Sequence, residues 1–246
     1  MKTIFSILFV LVGTLGMAQR PTPDIIETSK GALKIQPLLH ATLAFTWNGK
    51  TIYADPQGGA KVFDAITAPD LILITDIHGD HFNPETLQAI NTTNAIIIAP
   101  QAVADKFPEN LKSKVTVLNN GQTISKFDIS ITAIPMYNLP EAVDAKHTKG
   151  RGNGYVLTFG NKIIYLSGDT AGIAEMRALK NIDIAFVCMN LPYTMDVNEA
   201  ASAVLDFKPK IVYPYHYRGQ DTEAFKNLVN TSNKEIEVRL RNWYPQ

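Results

Sequence analysis

The chain has 246 residues, 46% of them hydrophobic and 19% charged, which excludes a disordered, collagenous or coiled-coil protein. Lys and Arg number 23 against 23 Asp and Glu, so no basic excess exists to neutralise phosphates and no nucleic-acid partner is expected. A single cysteine, Cys188, can form neither an intramolecular disulfide nor a thiolate zinc knuckle.

Lys2 precedes an apolar run from Ile4 to Leu15, closed by Gly16-Met17-Ala18 with small residues at −3 and −1. Residues 1–18 therefore read as a secretory signal peptide cleaved after Ala18. The run is short for a membrane span, and an uncleaved anchor is the alternative. Residues 19–246 are then a single exported domain, periplasmic or secreted, with no stable membrane insertion once the signal is gone. Losing Lys2 leaves 22 basic against 23 acidic residues, a net charge of −1.

Arg20–Lys30, with Pro21 and Pro23, reads as an extended lead-in. Short apolar runs follow at Ile35–Leu39, Ala41–Trp47 and Thr51–Ala54, the last two joined by an Asn48-Gly49 hairpin turn. Further strands are expected at Leu71–Thr75, Ala95–Ala99, Val115–Leu118, Ile129–Ile134, Tyr155–Phe159, Lys162–Leu166, Ile184–Cys188, Ile211–Tyr213 and Ile236–Leu240. Gly160-Asn161 joins a second hairpin. Helices are expected at Pro84–Ile90, capped by Asn83, and at Ile173–Leu179, Val197–Phe207 and Thr222–Val229, with a weaker candidate at Ala102–Phe107. Hairpins early in each half followed by strand–helix alternation indicate one α/β unit of mixed sheets covered by helices. Cys188 falls in an apolar strand, so its thiol reads as buried and inert.

The densest chemical signal is Thr75-Asp76-Ile77-His78-Gly79-Asp80-His81, between a buried strand and the Asn83-Pro84 helix start. Asp76, His78, Asp80 and His81 crowd one turn, where Gly79 is expected to relieve the steric limit. Helix capping needs one carboxylate, not two with two imidazoles, and carboxylate plus imidazole is metal chemistry.

This stretch resembles the His-x-His-x-Asp-His hallmark of the metallo-β-lactamase superfamily. Its later stations follow in order: His147 in Lys146-His147-Thr148, Asp169 in Ser167-Gly168-Asp169-Thr170, and His216 in Tyr213-Pro214-Tyr215-His216. The early strand ending Ala54-Asp55-Pro56 is similar as well. The resemblance covers about residues 35–220 and implies a four-layer αββα sandwich. Its closest likeness is to the branch holding the L-ascorbate-6-phosphate lactonase and the N-acyl-phosphatidylethanolamine phospholipase D, through His40 and the Lys210–His216 ending.

Carried over by position, the resemblance gives one metal Asp76, His78 and His147. It gives a second Asp80, His81 and His216, with Asp169 bridging and Asp55 orienting a ligand from behind. His40 reads either as a hydrogen-bonded core histidine or as a catalytic neighbour of the metals. Asp76 stands where the family usually has histidine. Two divalent ions against Asp76, Asp80 and Asp169 leave a net site charge of +1 rather than +2, and the oxygen ligand favours harder ions. Two ions of zinc or manganese, with iron as a further candidate, are the implied cofactors, the Asp76 ion being the looser.

The implied chemistry is hydrolysis by a metal-bridging hydroxide, with Asp80 orienting the nucleophile or collecting its proton. The expected substrate is a small ester or lactone. Phosphodiester or phospholipase D-type hydrolysis is the rival enzymatic reading, and a non-catalytic metal-binding or sensing protein is the rival from another class. Lys146, Lys149 and Arg151 either hold an anionic group of the substrate or decorate a solvated loop with Gly150, Gly152 and Gly154. Tyr193, Tyr215 and Tyr217 are oxyanion donors or packing residues, and Met189–Met195 reads as core or loop.

Overall fold

The computed structural model describes residues 20–245; the signal-peptide reading of residues 1–18 lies outside them. Strands β1 (Asp24–Thr28), β2 (Gly31–Leu39), β3 (Thr42–Trp47) and β4 (Lys50–Ala54) form an antiparallel meander. Strands β5 (Leu71–Leu73), β6 (Ile96–Ala99) and β7 (Val115–Val117) continue that sheet in parallel. The second sheet repeats the plan. Its antiparallel strands are β8 (Thr123–Lys126), β9 (Ile129–Met136), β10 (Gly152–Phe159) and β11 (Lys162–Leu166). Strands β12 (Ile184–Cys188), β13 (Ile211–Tyr215) and β14 (Glu237–Val238) follow in parallel.

Side-chain alternation along the first sheet divides two cores. Leu71 and Leu73 of β5 face the core shared by both sheets, while Ile72 and Ile74 face an outer core with Phe82, Leu87, Val103 and Phe107. Both faces of the strand are thus buried, which is why it reads as one continuous apolar run. The outer layer holds α1 (Pro84–Ala89), α2 (Gln101–Ala104) and α3 (Glu109–Lys112). Against the second sheet lie α4 (Ala174–Arg177), α5 (Val197–Phe207) and α6 (Thr222–Ser232). Ala203, Val204 and Phe207 of α5 and Phe225 and Val229 of α6 join the shared core. Helix, sheet, sheet, helix is the four-layer sandwich expected from the sequence.

Local chemistry sets several boundaries. Asn83 accepts from Thr86 N at 2.8 Å with Pro84 behind it, and Asp196 accepts from Glu199 N at 2.7 Å, so α1 and α5 start where their caps stand. Asn48 and Gly49 both take positive φ, making the hairpin between β3 and β4.

Elsewhere the structure departs from the sequence reading. Arg20–Lys30 is more than a lead-in, because Asp24–Thr28 pairs with β2. Thr123–Lys126 forms an unanticipated edge strand through a turn at Phe127 and Asp128, both with positive φ. The glycine loop before Tyr155 is instead the start of β10, where Gly152 and Gly154 are buried. A Cβ on Gly152 would stand 2.9 Å from the Thr75 carbonyl oxygen, so glycine admits the neighbouring backbone there.

Phe186 is fully buried between the sheets, with ring centroids 4.8 Å from Tyr213, 5.9 Å from Phe45 and 6.2 Å from Trp243. We expect Phe186→Ala to lower stability by about 3–5 kcal/mol. Urea unfolding should show the loss as a lower midpoint with unchanged slope.

Candidate metal centre

The chemistry-bearing side chains gather at one end of the sandwich, on turns that follow strands. Asp55 follows β4, Asp76–His81 follow β5, Asp169 follows β11 and His216 follows β13. His147 comes from the connection between β9 and β10, and His40 from the turn between β2 and β3. The Asp76–His81 turn closes on itself through His81 N and Phe82 N, which both donate to the His78 carbonyl at 3.0 and 2.8 Å. Gly79 does not serve as expected: its φ is not positive and the space beside it is open, so the turn does not demand glycine. Gly168 is the demanding position. It has φ +60, and an added Cβ would meet the Asn153 carbonyl oxygen at 3.1 Å, so glycine lets the chain turn into Asp169.

Asp169 is the hub. Its Oδ2 lies 3.2 Å from His147 Nε2 and 3.3 Å from His81 Nε2, and its Oδ1 lies 3.3 Å from His216 Nε2. His147 also stands 3.7 Å from Asp76, which contacts His78 Nδ1 at 2.5 Å. Three sets offer ligand atoms within 4.8 Å of one another: Asp76, His78 and His147; His81, Asp169 and His216; and His40, Asp80 and His216. The structure thus brings Asp76, His78 and His147, the sequence-derived first set, together. In the second, Asp80 groups with His40 and His216, while its nearest approach to His81 is 3.9 Å.

His40 is both hydrogen-bonded in the interior and adjacent to the cluster. It is buried, and its Nδ1 lies 2.6 Å from the Tyr244 hydroxyl. Yet its Nε2 is 3.1 Å from Asp80 and its ring is 3.8 Å from that of His216.

The donors fit cations. His81 Nε2, His147 Nε2 and Asp169 Oδ1 are buried without a hydrogen-bond partner among the described residues. Orphaned polar atoms of this kind are costly, and three of them on and around Asp169 suit cations. The orienting contacts lie behind them. Asp55 Oδ2 holds His81 Nδ1 at 2.8 Å and the Thr75 hydroxyl at 2.6 Å, while Thr75 N donates to its Oδ1 at 2.8 Å. Asn138 Oδ1 lies 3.1 Å from His147 Nδ1. Each contact leaves the Nε2 lone pair of its histidine facing the centre.

The electrostatics agree. Burial opposes a charge on His81, but the Asp169 and Asp55 carboxylates outweigh it and raise its pKa well above the ordinary histidine value. Burial likewise opposes ionisation of Asp169, yet His216, His81 and His147 hold it well below the usual carboxylate range. Asp80 is held low in the same way by His216 and His40. Without a cation, a proton takes up the positive charge the carboxylates demand.

A cleft of about 350 Å³ opens onto the cluster, with Lys146, Asn190, Tyr193 and Arg218 on its walls. Of the expected anion-holding residues only Lys146 lines it. Lys149 pairs with Glu141 at 3.1 Å and Glu175 at 3.6 Å, and Arg151 pairs with Asp76 at 3.2 Å. Tyr215 is packed in the core with its hydroxyl on Gly168 N, and Tyr217 donates to the Arg241 carbonyl, so of the three tyrosines only Tyr193 faces the cleft. Met189 and Met195 are core. Burial pushes the Cys188 thiol up to about 11, which makes it inert. Sequence reasoning missed Asn138, Asn190, Arg218 and Tyr244. None sits in a spacing pattern, and Tyr244 reaches the site from the far end of the chain.

Residues 34–216 match the model of the β-lactamase superfamily domain. A UPF0173 metal-dependent hydrolase of Thermococcus onnurineus is 33% identical over 220 residues, covering 84% of this chain and 96% of the relative. A crystal structure from Parabacteroides distasonis, provisionally described as a metal-dependent hydrolase, is 38% identical, with TM-score 0.81 over 89% of this chain and 98% of that one. The diiron β-hydroxylase CmlA of Streptomyces venezuelae shares the fold alone, at 17% identity and TM-score 0.66 over 90% of this chain and 53% of its own.

Two outcomes are expected. Asp55→Asn should lower metal affinity about 10–100-fold, measured by competition with a chromophoric chelator, because the amide keeps one acceptor oxygen but removes the negative charge that orients the His81 ring and raises its basicity. Stripping metal should also lower the melting temperature. Free ion at a hundredfold excess over Kd stabilises by about 2.7 kcal/mol, which is about 5–10 °C for a domain of this size; scanning calorimetry with and without chelator checks it.

Proposed function

The chain belongs to the metal-dependent hydrolases of the β-lactamase superfamily, and from that premise we propose that it hydrolyses a small ester or lactone with two divalent ions. Asp76, His78 and His147 would hold the first ion and Asp80, His81 and His216 the second, with Asp169 bridging. The observation that carries this reading is Asp169 within 3.3 Å of three imidazoles from three separate turns, with buried donor atoms left unpartnered. The ligand set of mixed nitrogen and oxygen suits zinc or manganese, and iron as well. When bound, such ions acidify a water and polarise the oxygen under attack.

The chain's own groups supply the remainder. Asp80 lines the cleft with 39% of its side chain exposed and is fixed by His40 and His216, so its carboxylate can orient a water. His40, braced by Tyr244, keeps Asp80 in place. The cleft volume suits a small molecule, and His40 beside Asp80 supports the branch likeness without choosing between its two activities. Lys2 with the apolar run Ile4–Leu15 and the Gly16 to Ala18 ending support export.

One feature favours the phosphodiester alternative: Lys146 and Arg218 stand on the cleft wall, and neither pairs with a carboxylate among the described residues. A panel of lactones and esters run beside bis(p-nitrophenyl) phosphate separates the two. The expected result is metal-dependent turnover of a lactone or ester, reduced to background in Asp169→Ala. Turnover that survives that substitution would show the bridged centre to be irrelevant to the reaction.

A further inference from the structure

We propose that Arg151 is a positioning residue of the metal centre: its guanidinium competes with the first ion for Asp76 and offsets the negative charge that Asp76 brings. The inference rests on the two-ion reading above and concerns what that reading leaves unexplained, a carboxylate where histidine is usual.

Asp76 is fully buried, and both its oxygens are engaged. Arg151 Nε lies 3.3 Å from Oδ1 and Nη2 lies 3.3 Å from Oδ2, so the guanidinium fork faces the carboxylate across both oxygens. Its side chain is only 20% exposed. A cation this desolvated needs a carboxylate, and among the described residues Asp76 is the one within ion-pairing distance. Histidine at position 76 would leave Arg151 beside two metals with nothing to pair with. Aspartate and arginine therefore form a matched exchange. Two divalent ions with Asp76, Asp80 and Asp169 sum to +1, and Arg151 returns the total to +2.

Arg151 has a second contact, donating from Nη2 to the Lys146 carbonyl at 2.6 Å, next to His147. One residue thus touches both Asp76 and the segment carrying another ligand of the same ion. The two roles predict opposite signs. A positive charge near a cation site weakens binding, so neutralising it tightens the ion; a pure clamp, once removed, loosens it.

The test is titration of metal-free protein with Zn²⁺ against a chromophoric chelator, using wild type, Arg151→Gln, Arg151→Lys, Asp76→His and the Asp76→His/Arg151→Gln pair. Wild type should hold two ions, one weaker. Arg151→Gln should tighten the weaker ion by about tenfold, and Arg151→Lys should leave it near the wild-type value. Asp76→His should weaken it by about tenfold, and adding Arg151→Gln should restore it. Weaker or unchanged binding in Arg151→Gln, or no rescue in the double variant, overturns the inference while the two-ion reading stands. Wild type that holds no ion overturns both. If circular dichroism shows Arg151→Gln misfolded, the Asp76→His comparison decides the matter alone, since there the second substitution must rescue rather than damage.

Discussion

Ionised carboxylates removed from water must be paired, and this end of the molecule is organised by that requirement. Asp55, Asp76 and Asp169 are each at most 3% exposed. Taking one such group out of solvent costs several kcal/mol unless positive charge or donors replace the water. Each is answered by a specific partner: His81 and Thr75 for Asp55, Arg151 and His78 for Asp76, and three imidazoles for Asp169. The imidazoles cannot satisfy Asp169 fully, because Asp169 Oδ1 and two of the Nε2 atoms remain without hydrogen bonds. Cations held by the Asp76–His78–His147 and His81–Asp169–His216 sets would resolve these deficits. Metal binding is then the completion of a charge balance the polypeptide leaves open, and protons and metal ions compete for the same lone pairs.

The topology explains why these groups meet. Each sheet begins as an antiparallel meander and ends as parallel strands joined by helical connections. Parallel strands all deliver their carboxyl ends to one edge, where ligands in open α/β sheets characteristically bind. Asp55 and the Asp76–His81 turn arrive from the first sheet, Asp169 and His216 from the second. Packing the sheets face to face brings the two edges together. The shared core, with Phe186 among Phe45, Tyr213, Tyr215 and Trp243, fixes the separation of the sheets and so the spacing of the ligands.

Residues legible in the sequence were those whose chemistry is written locally. Asp76–His81 packs four ligand types into one turn, and the caps at Asn83 and Asp196 stand where their helices start. His147, Asp169 and His216 are isolated in sequence and became readable only through their resemblance to an ordered family pattern. Contacts made across the fold left no such trace. Tyr244 reaches His40 over 204 positions, and Arg151 reaches Asp76 over 75. An arginine on a glycine-rich stretch reads as a free cation until the strand pairing places it. Asn153 N donates to the Thr75 carbonyl, and that register sets Arg151 against Asp76. Strand edges suffer similarly: β8 is four residues of middling propensity that exist because β9 offers a partner.

Backbone strain falls within the same cluster, sharing Asp55 with the buried carboxylates. His40, Asp55 and His216 take φ values of 58, 44 and 49, in the left-handed region that favours glycine. Each such residue costs of order 1 kcal/mol or more and persists only where its surroundings over-determine it. The over-determination is visible. His40 N donates to the Trp243 carbonyl at 2.8 Å, His216 N to the His40 carbonyl at 3.2 Å and Asp55 N to the Leu73 carbonyl at 2.9 Å. Asn48, Phe127 and Asp128 share the conformation at hairpin turns and Lys208 at a helix end, where it serves chain reversal alone. At His40, Asp55 and His216 the side chain itself is constrained, since asparagine or glycine would suit the backbone better but would abolish the carboxylate or imidazole. The fold therefore spends stability from its core to hold these three side chains of the cluster in a conformation the backbone disfavours. The backbone bonds from Trp243 and His40 tie the extreme C-terminal segment, the early β2–β3 turn and the β13 turn into one frame around the centre.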